Sequence, residues 1–583
     1  MTEKHSTKNM ANFIKCDVLV IGGGIGGWSS AITAKETGRV EDVIIVEKSR
    51  SGRTGPSALV GGVFSTVLKE DDTDELLKFY ATELSYLLDQ DIQELIITRS
   101  PDVLKDLEKW GVKFLKKADG SYLTTYQRGQ KSTLHLDGGG IPMMDALTGY
   151  GKKIGVKSVN WTTATDLIVD DGRVAGAVGI NCRTGEFLVF KAKSTVLATG
   201  GTLFKTRQPG HRNTTGDGWA MAYRAGVELM GFDLSKSNVY GATLEVGPGN
   251  GLMLGQGAIL RNNKMEEYAK DYPEMAKLNS PESHAPLMAM EAKRGNAPPV
   301  WLDLRHFNQE QVESIYKSVP LAAKRWEKLG FIKNRKFIKL CEYAPEGPRP
   351  GGGVFVKRDF SSRNMQGLFA CGEAVANFQC GGSLNRAAVS GVIAGKAAAK
   401  WAEKTAQIDV NANGVESLKK RALAPLERQM GIDPENALIA LQEAIHPYPV
   451  SILRNEKALK NALCEVERIR DTVIPYLRAY DPHYLRLVHE LGNMALCAEM
   501  YLRHALARQE SRQGALREDF PHTDNLNWLK WIFVKKDSQQ QMKIWTEDIP
   551  IDRYKFKPKP EKRLHPFWQR VEELGYWRQS PEE

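Results

Sequence analysis

The feature that most constrains this chain lies near its start. Residues Cys16 to Ile21 (CDVLVI) form a β-branched apolar run, GGGIGGW follows at once, then the helix-compatible SSAITAKETG, then a second apolar run at Val43 to Val46. That order predicts strand, glycine turn, helix and strand, the unit that seats a dinucleotide's pyrophosphate on a helix N-terminus. Gly22, Gly24 and Gly27 stand at the G-x-G-x-x-G positions. The first permits the tight turn, the second lets the backbone approach a phosphate, and the third lets the helix pack on the strand. Glu47 ends the second strand, where a carboxylate accepts both ribose hydroxyls and repels a 2′-phosphate.

The 583 residues exceed what one core usually supports, and 42% hydrophobic with 26% charged residues excludes a mainly disordered chain. Lys plus Arg exceed Asp plus Glu by 80 to 70, spread without a long basic block. That pattern points away from nucleic acid and either toward an anionic substrate or an acidic electron-carrier partner, or to solubility alone. The seven cysteines are scattered and never spaced C-x-x-C, so no metal site or disulfide is expected and a reducing compartment is. A polar first dozen residues and the lack of 18 consecutive apolar residues lead to the expectation of a cytoplasmic chain, not inserted in a membrane and reaching one only through a partner.

Periodicity divides the chain. LIVDDGRVAGAVGI and EFLVFKAKSTVLATGG read as hairpin strands followed by one buried strand, so the nucleotide fold resumes near Asp166. From about Phe232 the text breaks into mixed helices and loops, and RPGGGVFV and GLFACGEAV restart strands. Leu459, Ala462, Val466 and Ile469, then Leu487, Leu491 and Met494, recur at helical spacing. The expected fold class is an α/β FAD-binding Rossmann-like domain with an inserted α+β capping domain, followed by a C-terminal helical domain. The expected bounds are a flexible N-terminus (1–13), the FAD-binding domain in two parts (14–231 and 350–411), the capping domain (232–349), the helical domain (412–530) and an extension (531–583) that wraps over another surface.

Two segments fit a flavin better than a lone nicotinamide. ATGG at Ala198, Thr199, Gly200 and Gly201 ends a buried strand, and Asp217 in TTGDGWAMAYRAG either hydrogen-bonds the ribityl chain or caps a helix. GLFACGEA places Glu373 at a strand end, and GGSLNRAAVSGVIAGKAAA opens a small-residue helix at Ser383 and Leu384 whose N-terminus can stabilise negative charge on reduced flavin. Lys48, Gly61, Gly62 and Ala164 complete the residues expected on the cofactor.

Together, VIGGGIGG with Glu47, GRTGPSALVGGV, LATGG, TTGDGWAMAYRAG, GLFACGEA and ESRQGALREDFPHTDNLNWL resemble the flavoprotein subunits of the succinate dehydrogenase and fumarate reductase family, which includes the adenylylsulfate reductase alpha subunit. The resemblance implies hydride transfer at flavin N5 and, for many members, an iron–sulfur partner subunit. It also marks departures. Where respiratory members carry a flavin-linked histidine, Arg53-Thr54-Gly55-Pro56 has glycine, implying non-covalent FAD. The substrate-clamping H-G-A-N-R is absent from AVANFQCGG, H-Y-x-M-G-G becomes Pro348-Arg349-Pro350-Gly351-Gly352-Gly353, and the proton-shuttling R-G-E-G-G becomes Leu254-Gly255-Gln256-Gly257-Ala258. These losses argue against succinate or fumarate. They leave open an alternative like adenylylsulfate reductase, acting on a sulfur oxyanion, and a non-catalytic FAD electron relay.

Three residues are candidates for chemistry. Arg349 either pairs with an anionic substrate or is a surface arginine in a Pro/Gly loop. Arg386, near the start of the last flavin helix, either meets substrate or bridges to Glu or solvent. His306 in LDLRH is a general acid or base if it faces the flavin. Cys380, Tyr240 and Lys236 are weaker candidates.

Overall fold

The computed structural model describes residues 12–60, 62–127, 130–206, 210–236, 239–241, 250–276, 281–345, 347–376 and 383–577. The apolar run Asn12–Ile21 (β1) is extended, Ile25–Glu36 (α1) is helical and Val43–Val46 (β2) is a strand. All four residues of β2 are buried, as expected of a strand covered on both faces. β1 lies between two parallel neighbours, with Val18 opposite Val43 on one side and Ser194 on the other.

The main sheet has seven strands. Across it run Lys157–Val159, β2, β1, Phe187–Leu197, Arg173–Asn181 and Thr162–Asp170, and Leu368–Ala370 pairs parallel with the end of Phe187–Leu197. The first connections are parallel, and the hairpin strands from Thr162 to Leu197 are antiparallel. α1 and the helix Ser383–Glu403 lie against each other, and Ala31, Ala34, Ala394 and Ala398 are buried. Small side chains let two helix backbones approach, so both N-termini reach the carboxyl ends of the central strands, where open α/β sheets bind ligands.

The segment after Met230 builds a second core. Ile259–Arg261, Val300–Asp303, Cys341–Pro345 and Val239–Gly241 form a four-stranded antiparallel sheet. Trp326, Phe307, Phe337 and Tyr343 fill it, joined by Phe567 and Trp568 from the end of the chain. The helices Glu456–Thr472 and Pro482–Ala507 pack together beside the main sheet, their Leu459, Val466, Leu491 and Met494 all buried.

The extension has more regular structure than its Lys- and Pro-rich composition suggests. Lys530–Lys536 and Met542–Asp548 form a hairpin with Ile532 opposite Thr546, and Lys530–Lys536 also pairs with Leu229–Met230. The continuous apolar run WIFV in KWIFVKK drives this, because Trp531, Ile532, Phe533 and Val534 are all buried while the partner strand stays half-exposed. Arg508 ties this region to the start of the second core: its guanidinium donates to Asp233 and, at 2.7 Å, to Glu510, all three being buried.

Candidate functional site

A cleft with about 1120 Å3 of empty space opens at the carboxyl ends of β1, β2 and Phe187–Leu197. Its floor is the glycine turn. Gly22 has φ +112°, and a Cβ there would meet the Ala198 carbonyl at 2.3 Å. A Cβ on Gly27 would meet the Gly22 carbonyl at 2.0 Å, so the turn closes onto the helix only with glycine at both places. α1 starts at Gly24 with no side-chain cap and no acidic residue in its first turn. Ser57 Oγ takes the first of its amides, that of Ile25, and the positive end of its dipole faces the cleft, where an anion is favoured.

Glu47 stands at the end of β2 beside that turn. Its Oε2 accepts the Gly23 N–H at 2.8 Å, and its Oε1 accepts the Ser49 N–H at 3.1 Å and hydroxyl at 3.0 Å. The carboxylate is thus oriented by three donors at the cleft wall. The cradle of glycines, the uncapped helix and the oriented carboxylate fit a dinucleotide.

Of the cofactor-side residues expected from sequence, Gly22, Gly24, Glu47, Lys48, Ala164, Ala198, Thr199, Gly200, Asp217, Glu373, Ser383 and Leu384 line this one cleft. Gly27 lies behind the turn and Gly62 packs against Gly139 and Leu136, neither lining the space. Gly61 and Cys380 lie outside the described residues. The backbones of Lys236 and Tyr240 lie in short strands. Gly55 and Ser57 line the cleft, and Ser57 Oγ accepts the Ile25 N–H at 3.2 Å.

Asp217 does not cap its helix, and it stands on the cleft wall. The helix cap is Gly216, in the left-handed region, and Asp217 is the first residue of the helix Asp217–Arg224. Its carboxylate accepts from Lys48 Nζ at 2.9 Å, from Thr215 Oγ1 at 2.9 Å and from Asn493 Nδ2 at 2.9 Å. Lys48 also donates to Glu490 at 3.0 Å, and Glu490 receives Lys205 at 2.6 Å and Arg486 at 2.8 Å. Burial opposes charge on Glu490, yet the three cations hold it well below the usual carboxylate range. Burial likewise disfavours charge on Lys48, and Asp217 with Glu490 outweighs it and raises that lysine. Lys48 and Asp217 therefore brace the cleft wall as parts of a buried ion network.

Past Glu373, which lines the cleft, lies a small adjoining pocket that Glu373 shares with Arg349. Glu373, in the turn after Leu368–Ala370, accepts a hydrogen bond from the Arg349 guanidinium. Arg349 sits on a strand paired with Ser235–Lys236, at the junction of the two cores. Burial raises the Glu373 carboxyl, but the neighbouring Arg349 and then His211 bring it below its ordinary value. His211 shares this environment: burial, and then Arg349, push it down to about 4 against the pull of Glu373. The imidazole is neutral near pH 7 as a result. Sequence reasoning missed His211; its signal is the PGHRNTTGDG stretch just before the Asp217 helix.

The other two catalytic candidates need correction. Arg386 is 3% exposed and donates to Gln93 in the helix Gln90–Lys109, because the small-residue face of the Ser383 helix turns it into a helix–helix contact. His306 is exposed; its Nε2 lies 2.9 Å from the Gly257 carbonyl and its ring meets Phe307 edge-on. Neither lines the cleft.

Comparison with known proteins agrees with this geometry. The FAD binding domain family matches residues 17–387, and the fumarate reductase flavoprotein C-terminal family matches residues 440–563. The chain belongs to the succinate dehydrogenase and fumarate reductase flavoprotein family. It is an FAD-dependent oxidoreductase of that type, and the dinucleotide its cleft takes is FAD. An uncharacterised FAD-dependent oxidoreductase of Methanocaldococcus jannaschii is 29% identical over 559 residues, covering 92% of this flavoprotein and 98% of the relative. A fumarate reductase (CoM/CoB) subunit of Methanothermobacter marburgensis is 28% identical, covering 90% and 98%. The flavoprotein superposes on E. coli quinol fumarate reductase with TM-score 0.81 at 22% identity, covering 96% and 99% of the two chains. Adenylylsulfate reductase of Archaeoglobus fulgidus gives 0.77 at 22%, covering 94% and 98%. At that identity the structural likenesses fix the fold, with an FAD-binding domain and a C-terminal helical domain.

Proposed function

We propose that this flavoprotein moves a hydride between non-covalently held FAD and a small anionic substrate seated beside Arg349, as one subunit of a complex whose iron–sulfur partner carries the electrons. The observation that carries the reading is the grouping of Arg349, Glu373 and His211 at the end of the FAD cleft. When bound, FAD supplies the hydride acceptor or donor.

The protein's own groups do the rest. Glu47 accepts the ribose hydroxyls, and the amides at the start of α1 hold the pyrophosphate. Arg349 exchanges Glu373 for a substrate carboxylate or sulfonate, to which a guanidinium offers two parallel donors. His211, held neutral, exchanges one proton beside the Arg349–Glu373 pair. Gly55, which lines the cleft, provides no side chain for a covalent flavin link.

Support for a partner comes from relatives named as subunits of larger enzymes, such as the 8-methylmenaquinol:fumarate reductase flavoprotein subunit of Wolinella succinogenes. Among the described residues no group of three or more His, Cys, Asp or Glu is placed to hold a metal ion, and no helix is long and apolar enough to cross a membrane. A cytoplasmic chain, brought to a membrane by its partner, fits this reading.

A second reading is a sulfur oxyanion as substrate, as in adenylylsulfate reductase. It is favoured by Gln256, whose side-chain amide donates to Ser314 Oγ at 3.0 Å and whose backbone carbonyl accepts from the Gln311 side chain at 2.9 Å. The segment resembling the proton-shuttling loop is thus tied into cap packing with no charge of its own. The test is anaerobic titration of the purified protein, after acid precipitation shows whether the flavin is released. Reoxidation of dithionite-reduced flavin by fumarate or another enoate supports the first reading. Bleaching by sulfite, enhanced by AMP, supports the second, and silence toward all of these leaves an electron relay.

A further inference from the structure

A second cavity, with about 880 Å3 of empty space, lies behind the FAD cleft. One wall is the outer part of the strand Thr162–Asp170 and another is the N-terminal face of the helix Ala412–Glu427, and Met221 separates it from the cleft. Asn411, Gly414, Val415, Leu418 and Arg421 line it at helical spacing. The reaction assigned above uses none of these residues.

Its charges are unequal. Asp166 is buried and shared by two guanidiniums, Arg224 Nε at 2.7 Å and Arg421 Nη2 at 2.5 Å. Arg224 is further held by Asn493 at 2.9 Å and by the Thr165 carbonyl at 2.7 Å, so it is a fixed part of the wall. Lys536, from the edge of the extension hairpin, is a third cation lining the same space. Among the described residues no carboxylate stands within 4.0 Å of its ammonium. Asp170 is the second carboxylate on the lining, leaving three cations against two anions. Burial, and then Arg421 and Arg224, lower the proton affinity of Lys536 against the pull of Asp166.

The helix adds to this field. Ala412–Glu427 presents its N-terminus here, with no acidic residue in its first turn; the Asn411 side chain caps the amides of Asn413 and Gly414, so the helix contributes its partial positive charge and no open amide of those two. Between the cations and the helix start, Leu167, Val169, Val410, Val415 and Leu418 add apolar surface to the lining. Val169 is a strand residue left 39% exposed.

We propose that this cavity binds a small organic anion, a carboxylate carrying an apolar chain, with its head between Lys536 and Arg421 and its chain along Val169, Val415 and Leu418. A bare anion would satisfy Lys536 and leave the apolar residues wet; a neutral hydrocarbon would leave Lys536 without a counter-charge.

The test is equilibrium dialysis of the FAD-loaded protein with radiolabelled octanoate, with octanol and inorganic phosphate as competitors. One octanoate should bind per chain, with neither competitor displacing it efficiently. Lys536→Met keeps the aliphatic stem and should weaken binding about tenfold or more. Leu418→Trp fills the apolar part, keeps every charge and should also weaken it, with the flavin absorbance unchanged in both variants. Equal octanoate affinity in the wild type and both variants overturns the proposal by placing the ligand elsewhere, the Arg349 end included. Competition by phosphate as effective as by unlabelled octanoate overturns the apolar half of it.

Discussion

The two ends of the FAD cleft hold their ligands by different physics. At the glycine turn the groups offered are backbone amides and a helix dipole, contributed by one continuous stretch from Ile21 to Gly27. At the far end they are ionisable side chains, Arg349, Glu373 and His211, brought together from three segments. Amides do not titrate and cannot be replaced without moving the chain, so the first end is rigid and indifferent to pH. The second depends on a balance of charges, each removable without disturbing the backbone.

The sharpest way to break that contrast is Gly27→Val. Its Cβ would sit 2.0 Å from the Gly22 carbonyl, so the turn must open, and the purified protein should carry almost no flavin absorbance. Normal FAD content would show that the turn does not grip the cofactor. Next comes Glu47→Ala, which removes the oriented carboxylate and leaves the amides. FAD affinity should fall about 100-fold, in line with the loss of about 3 kcal/mol in hydrogen bonds to a charged group, as read by fluorescence titration of the apoprotein.

At the other end, Arg349→Met should leave FAD content unchanged and lower kcat/KM on the substrate found by titration by about 30-fold, the worth of about 2 kcal/mol in a charge-assisted contact. Loss of FAD in that variant would mean that the two ends are one unit. The mildest effect concerns acid. His211, His446 and His504 are each pushed down to about 4, in every case chiefly by burial. Below about pH 6.5 the unfolded chain takes up protons that these folded imidazoles refuse. Stability to urea should therefore decline as pH falls from about 6.5 toward 4, with a shallower slope in His211→Gln, while FAD affinity between pH 6.5 and 8.5 stays flat.

The same contrast explains how much the sequence reveals. Gly22, Gly24, Gly27 and Glu47 are legible because their geometry is local: strand, turn and helix are contiguous, and spacing fixes their roles. The helical region is legible through periodicity, as Leu459, Val466 and Ile469 show by being buried together. Arg349 could be named, but not its pairing with Glu373, since nothing in one dimension brings those loops together. Arg386 was misplaced because the small residues around it signal close helix packing as readily as a cofactor site. Lys48 and Asp217 do reach the cleft, yet their partner Glu490 lies far along the chain in a different helix. Poor helical periodicity hid the extension's hairpin, which the short apolar run WIFV in KWIFVKK signals instead.

The extension's last helix, Pro566–Glu573, has a consequence for how the molecule is made. Phe567 stacks on Tyr272 with ring centroids 6.4 Å apart, and Trp568 and Val571 complete the same cap core. At roughly 5–20 residues per second, the ribosome adds Phe567 some tens of seconds after Tyr272. Throughout that interval the nascent cap exposes an apolar face with its native cover not yet synthesised. Chaperone occupancy on translating ribosomes should begin with the cap and end with this helix.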